Sequence, residues 1–590
     1  MKKQIYFIVI IILYGSFSAC TDTGILEPEK DNVYDMEVIK SNVSWAEGVL
    51  LNAYRRIPST NHAFFELAYG SDEAVINDPN SGIKTAVNGG WTSRSNPFSR
   101  WNRSYEGILY INTFLEEMQD IEWYWKNELT DSLLAEKLNG EAYALRAWYY
   151  FHLLQSHAGP GSNGEMLGVP IVDKVLSPDD PSEYQIPRAS FNDLVAFILD
   201  DCEKAIELIP ERWVDVKPED IDVDVEDKEA YANYMNQAIG ERNTNRINGL
   251  VAQFIKVKTL LYAASPAYSD GTYTYQMAAE AAAELMDANN GLVDVAGGDL
   301  KFYNNPDVRN AMNTHPEVIW STRGILDQNS WEEDNYPPSI FGGGRTNPTQ
   351  ELVNAFPMAD GTPAPTSKVE SNDPYSDRDP RLKAFILYNG SKIEQGDTTF
   401  TINTKSGSQD ALGSADENAT QTGYYLRKFM NVENVNLDPT VNSAGLHYYT
   451  YARYTDVLLM FAEAANQIVG PDGDIGGYTA REVINAIRTR AGIASTDYVN
   501  SLGKAQMQEL IRNERRIEMC FEKQRFWDLR RWKMTEEMKK PVSGVQISED
   551  GTTFNYVKVE DRNYSNYQIY GPIDYFETLK YDLVQNEGWD

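Results

Sequence analysis

Apolar residues recur at steps of three and four through both ends of this chain and lose that period in the middle. Leu138, Ala142, Leu145, Tyr149 and Leu153 follow it, as do Leu250, Phe254, Val257 and Leu261. Tyr454, Leu458, Phe461, Ala465 and Ile468 repeat it, and Met507, Leu510, Ile517 and Phe521 do so around one charged interruption at Glu514. A 3.6-residue period puts such residues on one face, so these segments predict amphipathic helices that must bury a stripe against one another. Further segments of this kind cover 42–56, 103–126, 190–209, 274–288, 478–491 and 524–539. Several stop at breakers: Pro58, Gly159 with Pro160, Pro210, Gly291, Gly470 with Pro471, and Gly492. From 291 to 450 the chain is rich instead in Gly, Pro, Asn, Ser and Thr, with short strand-like runs at 385–388 and 424–429. The pattern predicts a mainly α fold. A helical scaffold over 41–290 and 451–540 carries a loop-rich half with short strands over 291–450, plus a loop at 75–100. No fixed-period repeat aligns, so the period alone does not establish a solenoid.

Charge narrows the partners. The 590 residues carry 53 Lys and Arg against 87 Asp and Glu, a formal balance of −34. Nucleic acid and anionic membrane surfaces call for basic faces and are not expected partners. With 36 Tyr, 21 Phe and 12 Trp the chain has the apolar mass to pack, and the aromatic–polar character to stack on ligands.

The first residues set the compartment. Lys2 and Lys3 precede a ten-residue apolar run from Ile5 to Tyr14, too short to span a bilayer and suited to a signal peptide. Phe17, Ser18, Ala19 and Cys20 then resemble a bacterial lipobox, with Phe where Leu is preferred. On that reading 1–19 is a lipoprotein signal, Cys20 takes the lipid, 20–40 is a flexible tether, and 41–590 is one domain; the alternative is an ordinary secretory signal cut nearby. No later run of eighteen apolar residues exists. Cys202 and Cys520 sit in helical patterns and read as buried free thiols, with one mutual disulfide as the alternative.

Motifs for common enzyme chemistry are missing. The five His residues, at 62, 152, 157, 315 and 447, form no H-E-x-x-H, and neither a G-x-S-x-G elbow nor a phosphate-binding P-loop is present. Carboxylates abound, but a glycosidase pair is defined by its separation in space, which sequence does not give. Asp220, Asp222 and Asp224 open like a calcium loop, yet Val225 and Tyr231 stand where Gly and Glu are required. The stretch reads as solvated loop, and neither cofactor nor metal is expected.

Residues 512–532 read RNERRIEMCFEKQRFWDLRRW. This run resembles the N-E-R-R-x-E-x-x-F-E-x-x-R-x-x-D-L-R-R-W signature of the SusD/RagB family of outer-membrane nutrient-binding lipoproteins. Other segments agree in order: SDEA at 71–74, GEAYALRAWYYF at 140–151, GVPIV at 168–172, PRAS at 187–190, KTLLYAASP at 258–266, RDPRL at 378–382 and QNEGW at 585–589. GPID at 571–574 departs from the P-I-P of many members. The resemblance implies helix pairs of tetratricopeptide type with a loop-rich half that forms the ligand site. It also implies a non-enzymatic role on the outer face of the outer membrane. Such a protein caps a SusC-like TonB-dependent transporter and hands it oligosaccharides or, in some branches, peptides. A glycoside hydrolase and a scaffold without small ligand are the competing classes.

The 512–532 run, dense in alternating charge, reads as scaffold, since Arg–carboxylate pairs can lock it against Trp527 and Trp532. Trp148, Tyr149 and Tyr150 read as core. Aromatics in Gly- and Asn-rich loops are the better sugar-stacking candidates. Trp91, with Asn88 and Arg94 beside it, lies just after SDEA, where family members often line their site. Trp331, Asn335 and Tyr336 lie in a second loop. Asp72, Asn88, Arg94 and Asn335 can supply hydrogen bonds to hydroxyls.

Overall fold

The computed structural model describes residues 36–590, apart from 58–64, 294, 296–297, 299, 306–307, 309–314, 322–324, 396–397 and 590. Helix α1 spans Val43–Tyr54, α2 Trp101–Glu117, α3 Glu128–His157 and α4 Phe191–Leu208. Then come α5 Lys228–Ile239, α6 Gly249–Ala264 and α7 Tyr275–Ala288. After the irregular stretch follow α8 Tyr454–Val469, α9 Ala480–Arg490, α10 Lys504–Glu518 and α11 Arg525–Arg531. Many begin where a side chain accepts an otherwise orphaned N–H: Asn42 for α1, Asn127 for α3, Ser190 for α4, Asn248 for α6, and Thr479 boxed with Glu482 for α9.

The stripes meet in succession. α1 lies on α2, α2 on α3, α3 on α4 and α5, α4 on α6, α6 on α7, α7 on α8, and α8 on α9 and α10. This is the tetratricopeptide-like scaffold that the resemblance implied. Small residues set the close approaches. α7 buries Ala278, Ala279, Ala281, Ala282 and Ala283. On α2, a Cβ at Gly107 would sit 2.5 Å from the Tyr149 ring of α3, so only glycine leaves room for that ring. Tyr149 then donates its hydroxyl to the Ala53 carbonyl at 2.6 Å, tying α3 to α1.

Strands are short and, among the described residues, pair two by two. The runs expected at 385–388 and 424–429 contribute Ile386–Leu387 and Tyr425–Leu426, which pair with each other. Ala74–Ile76 pairs antiparallel with Thr346–Pro348, and Val318–Ser321 with Thr450–Arg453.

The charged signature is buried and its partners are mostly distant in sequence. Arg381 reaches Asp379 at 2.7 Å, Glu514 at 2.5 Å and Glu518 at 2.9 Å. Arg453 and Arg490 both hold Glu518 at 2.7 Å. Arg515 joins Asp456 to Asp528, and Arg531 joins Asp528 to Glu463, which also accepts the Trp532 indole N–H at 2.7 Å. Such a network sets geometry more than it adds stability, but losing one partner leaves a buried charge alone.

Three boundaries differ from the sequence reading. The segment expected over 103–126 is helical over Trp101–Glu117. The one expected over 524–539 breaks after Arg531, where Lys533 takes φ 55°, and resumes at Thr535–Lys539. Finally, α10 stops at Glu518, short of Phe521. There the buried Lys428 ammonium donates to the carbonyls of Glu518 at 2.7 Å and Cys520 at 3.1 Å. A cation at the negative end of a helix satisfies its last carbonyls and fixes the stop. Phe521 and Lys523 then turn the chain with φ of 63° and 64°.

Cys202 and Cys520 are both buried and unpaired. Cys20 and residues 1–35 lie outside the described residues, and Met36–Lys40, read as the end of a tether, forms a short helix. No described helix is long and apolar enough to cross a membrane.

Candidate functional site

A cavity of about 750 Å³ opens between the first helices and the turn after α10. Trp101 and Arg103 of α2, Trp148, Tyr149 and His152 of α3, and Lys258 of α6 border it. Tyr449 and Tyr451, next to α8, and Lys523 and Trp527, around the α10–α11 turn, complete its aromatic and basic lining. Glu66, Glu522 and Asp574 supply carboxylates, and Asn96, Ser99 and Gln155 neutral polar groups. The cavity meets solvent at Asn102 and Arg103, which are exposed. Flat rings alternating with hydrogen-bonding groups suit a ligand that has both apolar faces and polar edges.

The polar groups are held by their neighbours. Asp574 accepts from the Ser99 hydroxyl at 2.6 Å and the Asn96 amide at 3.2 Å. His157, below the cavity, meets the Pro572 carbonyl through Nδ1 at 2.7 Å and accepts the Arg100 backbone N–H at Nε2, 3.2 Å. Those two bonds assign one tautomer, with the proton on Nδ1. Gln524 accepts from Lys258 at 3.1 Å and from Arg515 at 3.3 Å, which couples the cavity wall to the ion network. Burial, reinforced by the charges of Arg100, Lys258 and Lys523, holds His152 well below the usual imidazole range. Burial and the neighbouring Arg100 charge push Lys523 down to about 7.

None of the seven residues singled out as ligand contacts borders this cavity. Trp91 is 3% exposed and packs edge-on against Phe98 at 4.8 Å and Trp589 at 4.9 Å, while the Arg530 guanidinium lies 4.6 Å from its ring centroid. Ringed by these side chains and set away from the cavity, Trp91 packs its own loop and does not present the open face that the stacking reading needed. It anchors instead, donating to Asn96 at 3.0 Å, which does border the cavity. Trp331 is likewise buried, against Phe65 and His447, and Tyr336 and Asn335 are buried with it. Their supposed loop contains a short helix, Ser330–Asn335, in which the Asn335 amide is spent on the Trp331 carbonyl at 2.8 Å. Asp72 is taken up by Arg516 and Arg525, both at 2.8 Å. Burial alone would raise its carboxyl, but those two guanidinium groups hold it well below the usual range. Asn88 and Arg94 remain exposed; Arg94 lies 3.8 Å from the Tyr575 ring centroid.

The loop at 75–100 does reach the cavity, through Asn96, Ser99 and Arg100. Of the described residues in the stretch 291–450, Tyr449 alone does so. Trp148 and Tyr149, read as core, are buried in it and also border the cavity. One signal marked the place. His152, Gln155 and Lys258 interrupt apolar stripes of α3 and α6, and a polar group on a buried face needs a partner or a cavity. Among the described residues, no cluster of three or more His, Cys, Asp or Glu is arranged to hold a metal ion.

Comparison with known proteins agrees with this architecture. Residues 316–589 match the family model described as the SusD family, and residues 26–232 match one described as starch-binding associating with outer membrane. SusD-like protein P38 of Formosa agariphila is 23% identical over 575 residues, which cover 92% of this chain and 95% of that one. A SusD-like protein of Bacteroides fragilis superposes with a TM-score of 0.72 at 24% identity, over 95% of this chain and 100% of that chain. A SusD-like carbohydrate-binding protein from the same species superposes with a TM-score of 0.68 at 20% identity, over 92% and 99%. The two models together account for most of the chain, the scaffold is shared with both solved structures, and the signature is intact: this chain belongs to the SusD/RagB family.

Proposed function

We propose that this protein captures oligosaccharide at the cell surface and passes it to a SusC-like TonB-dependent transporter, held to the outer membrane by a lipid on Cys20. The observation that carries the reading is the 750 Å³ cavity, where aromatic rings and polar groups share one wall. A sugar ring presents an axial C–H face to stack on indole or phenol and equatorial hydroxyls to polar edges. The match to a starch-binding, outer-membrane-associated family and the likeness to a carbohydrate-binding protein support the ligand class and the membrane association. The role is binding without turnover. Two of the three carboxylates on the cavity are already engaged, Glu522 by Lys428 at 2.6 Å and Asp574 by its cavity neighbours Ser99 and Asn96.

Calorimetric titration of the purified protein against a panel of oligosaccharides and mixed peptides tests this, with Tyr451→Ala alongside. Tyr451 is half-buried on the cavity, 4.7 Å from the Trp320 ring. Saccharide binding that weakens about 3- to 10-fold in the variant is the expected result. Peptide binding alone would move the function to oligopeptide capture, and release of reducing ends during the titration would refute a purely binding role.

A further inference from the structure

We infer that Asp574 selects the saccharide by accepting hydrogen bonds from two neighbouring ring hydroxyls, so that the cavity takes glycans whose internal rings keep a free vicinal diol. This rests on the proposed saccharide capture and names the linkage class it serves. Chains joined 1→4 or 1→6, whose rings keep O2 and O3 free, are bound in preference to chains joined 1→3, whose rings do not.

The side chain is held in one place. Asp574 borders the cavity half-buried, beside Asn96 and Ser99. The backbone on both sides of it is pinned. The Pro572 carbonyl meets His157 Nδ1 at 2.7 Å, the Ile573 N–H donates to Gln585 at 2.8 Å, and the Tyr575 N–H donates to the Ser93 carbonyl at 3.0 Å. Asp574 directly precedes a short helix, Tyr575–Thr578, at a position where Asp commonly caps the first turn, yet its side chain makes no cap there. It turns to Asn96 and Ser99 instead, and each of these is fixed in its role. Asn96 Oδ1 accepts from the Trp91 indole at 3.0 Å and the Phe98 N–H at 3.2 Å, so its amide nitrogen faces Asp574, at 3.2 Å. Ser99 Oγ accepts the Trp101 N–H at 3.2 Å and gives its own proton to Asp574 at 2.6 Å.

An oriented carboxylate of this kind has room for further partners. Asn96 takes one bond at Oδ1 and Ser99 one at Oδ2, whereas an ionised carboxylate offers about four acceptor sites. Both donors are neutral, so they aim the group without cancelling its charge. Hydroxyls bond an ionised carboxylate about twice as strongly as a neutral acceptor. Two hydroxyls on adjacent ring carbons stand side by side, as the two carboxylate oxygens do, and one carboxylate can accept from both. A 1→4- or 1→6-linked pyranose keeps such a pair at O2 and O3 on every internal ring. In a 1→3-linked one O3 is spent on the linkage, and the free O2 and O4 stand apart with O3 between them. The aromatic residues on the cavity cannot make this distinction, because stacking on Trp101, Tyr451 or Trp527 reads a C–H face that sugars of either linkage share. Selection among linkages falls to a polar group held in fixed geometry, which is what Asn96, Ser99 and the pinned backbone make of Asp574.

The test is calorimetric titration of the full-length protein with soluble polysaccharides, in which chain ends are negligible. The panel holds 1→4- and 1→6-linked glucans, 1→4-linked galactan, mannan and xylan, and 1→3-linked glucan and galactan, with mixed peptides alongside. A chain with the free O2 and O3 pair should bind about 10- to 100-fold more tightly than a 1→3-linked chain of the same sugar. Asp574→Asn should bring the first down to the level of the second, and Ser99→Ala should narrow the gap. Tyr451→Ala, which removes a stacking ring, should weaken both linkages alike. Should Asp574→Asn fail to fold, the linkage comparison on the unaltered protein and Ser99→Ala still decide. Chains joined 1→3 that bind equally or better, or a folded Asp574→Asn with its preference intact, would overturn the inference and leave saccharide capture standing. Peptide binding where every saccharide fails, or silence across the panel, would overturn both.

Discussion

Glu73 provides a sharp check on the electrostatics beneath the site. Its carboxyl is 1% exposed; among the described residues Oε1 has no hydrogen-bond partner and Oε2 accepts only a long bond from the Phe521 N–H at 3.3 Å. Burial, with the Asp72 charge next to it, raises it from 4.5 to about 8, against the opposing pull of Arg525 and Arg516. The folded protein therefore keeps a proton that the unfolded chain releases above pH 4.5. Stability from this group is fully present below the unfolded value and is lost as pH rises towards the folded one. At about 1.4 kcal/mol per unit, the loss between pH 4.5 and pH 7 is about 3 kcal/mol. Glu73→Gln never ionises and should lack that slope. Its amide adds a buried donor at a pH-independent cost of about 1–3 kcal/mol, so absolute stability is the wrong readout. The difference in urea unfolding free energy between variant and wild type, followed by tryptophan fluorescence, should shift in favour of the variant by about 3 kcal/mol from pH 4.5 to 7.5. Asp72 titrates below this window and cancels in the difference. Parallel profiles for the two proteins would show that Glu73 is ionised in the fold and would refute the reasoning.

Two further outcomes are expected. Asp72→Asn should destabilise by about 3–5 kcal/mol in thermal or urea unfolding, because Arg516 and Arg525 are left without their shared carboxylate; a stable variant that has lost only ligand affinity would return Asp72 to the binding site. Trp91→Ala should lower stability by about 3–5 kcal/mol through the emptied aromatic cluster, and a fully stable variant that no longer binds would restore the stacking role.

The scaffold was legible because a helix that buries one stripe must repeat it every 3.6 residues, and because Asn42, Ser190 and Thr479 announce their helix starts. The site was less legible. Aromatic residues in Gly- and Asn-rich loops look exposed, but Trp91, Trp331 and Tyr336 have as much apolar area to hide as any core residue, and their loops fold around them. Conversely, Trp101, Trp148 and Tyr149 share the helical period of core residues, and nothing local tells a ring that ends in packing from one that ends at a cavity. The stop of α10 at Glu518, which aims Lys523, is made by Lys428, 90 residues earlier; a window of local sequence contains no trace of it.

The cavity wall runs from Arg56 to Asp574, and Asp72 is locked to Arg516 and Arg525. Very large chain loops must therefore close before any of these contacts forms, and contacts of such high order make folding slow. While the chain is being made, a ribosome-bound fragment ending before residue 512 holds the first helices but not the arginines that secure Asp72. Binding competence should then arrive in one late event, when the C-terminal segment docks, and not grow gradually with chain length. Limited proteolysis during refolding would show α1–α4 protected early and ligand binding recovered only with the final docked segment. The same geometry makes the extreme C-terminus a poor place for a fusion tag, since Trp589 packs on Trp91 in the cluster that holds Asn96 at the cavity edge.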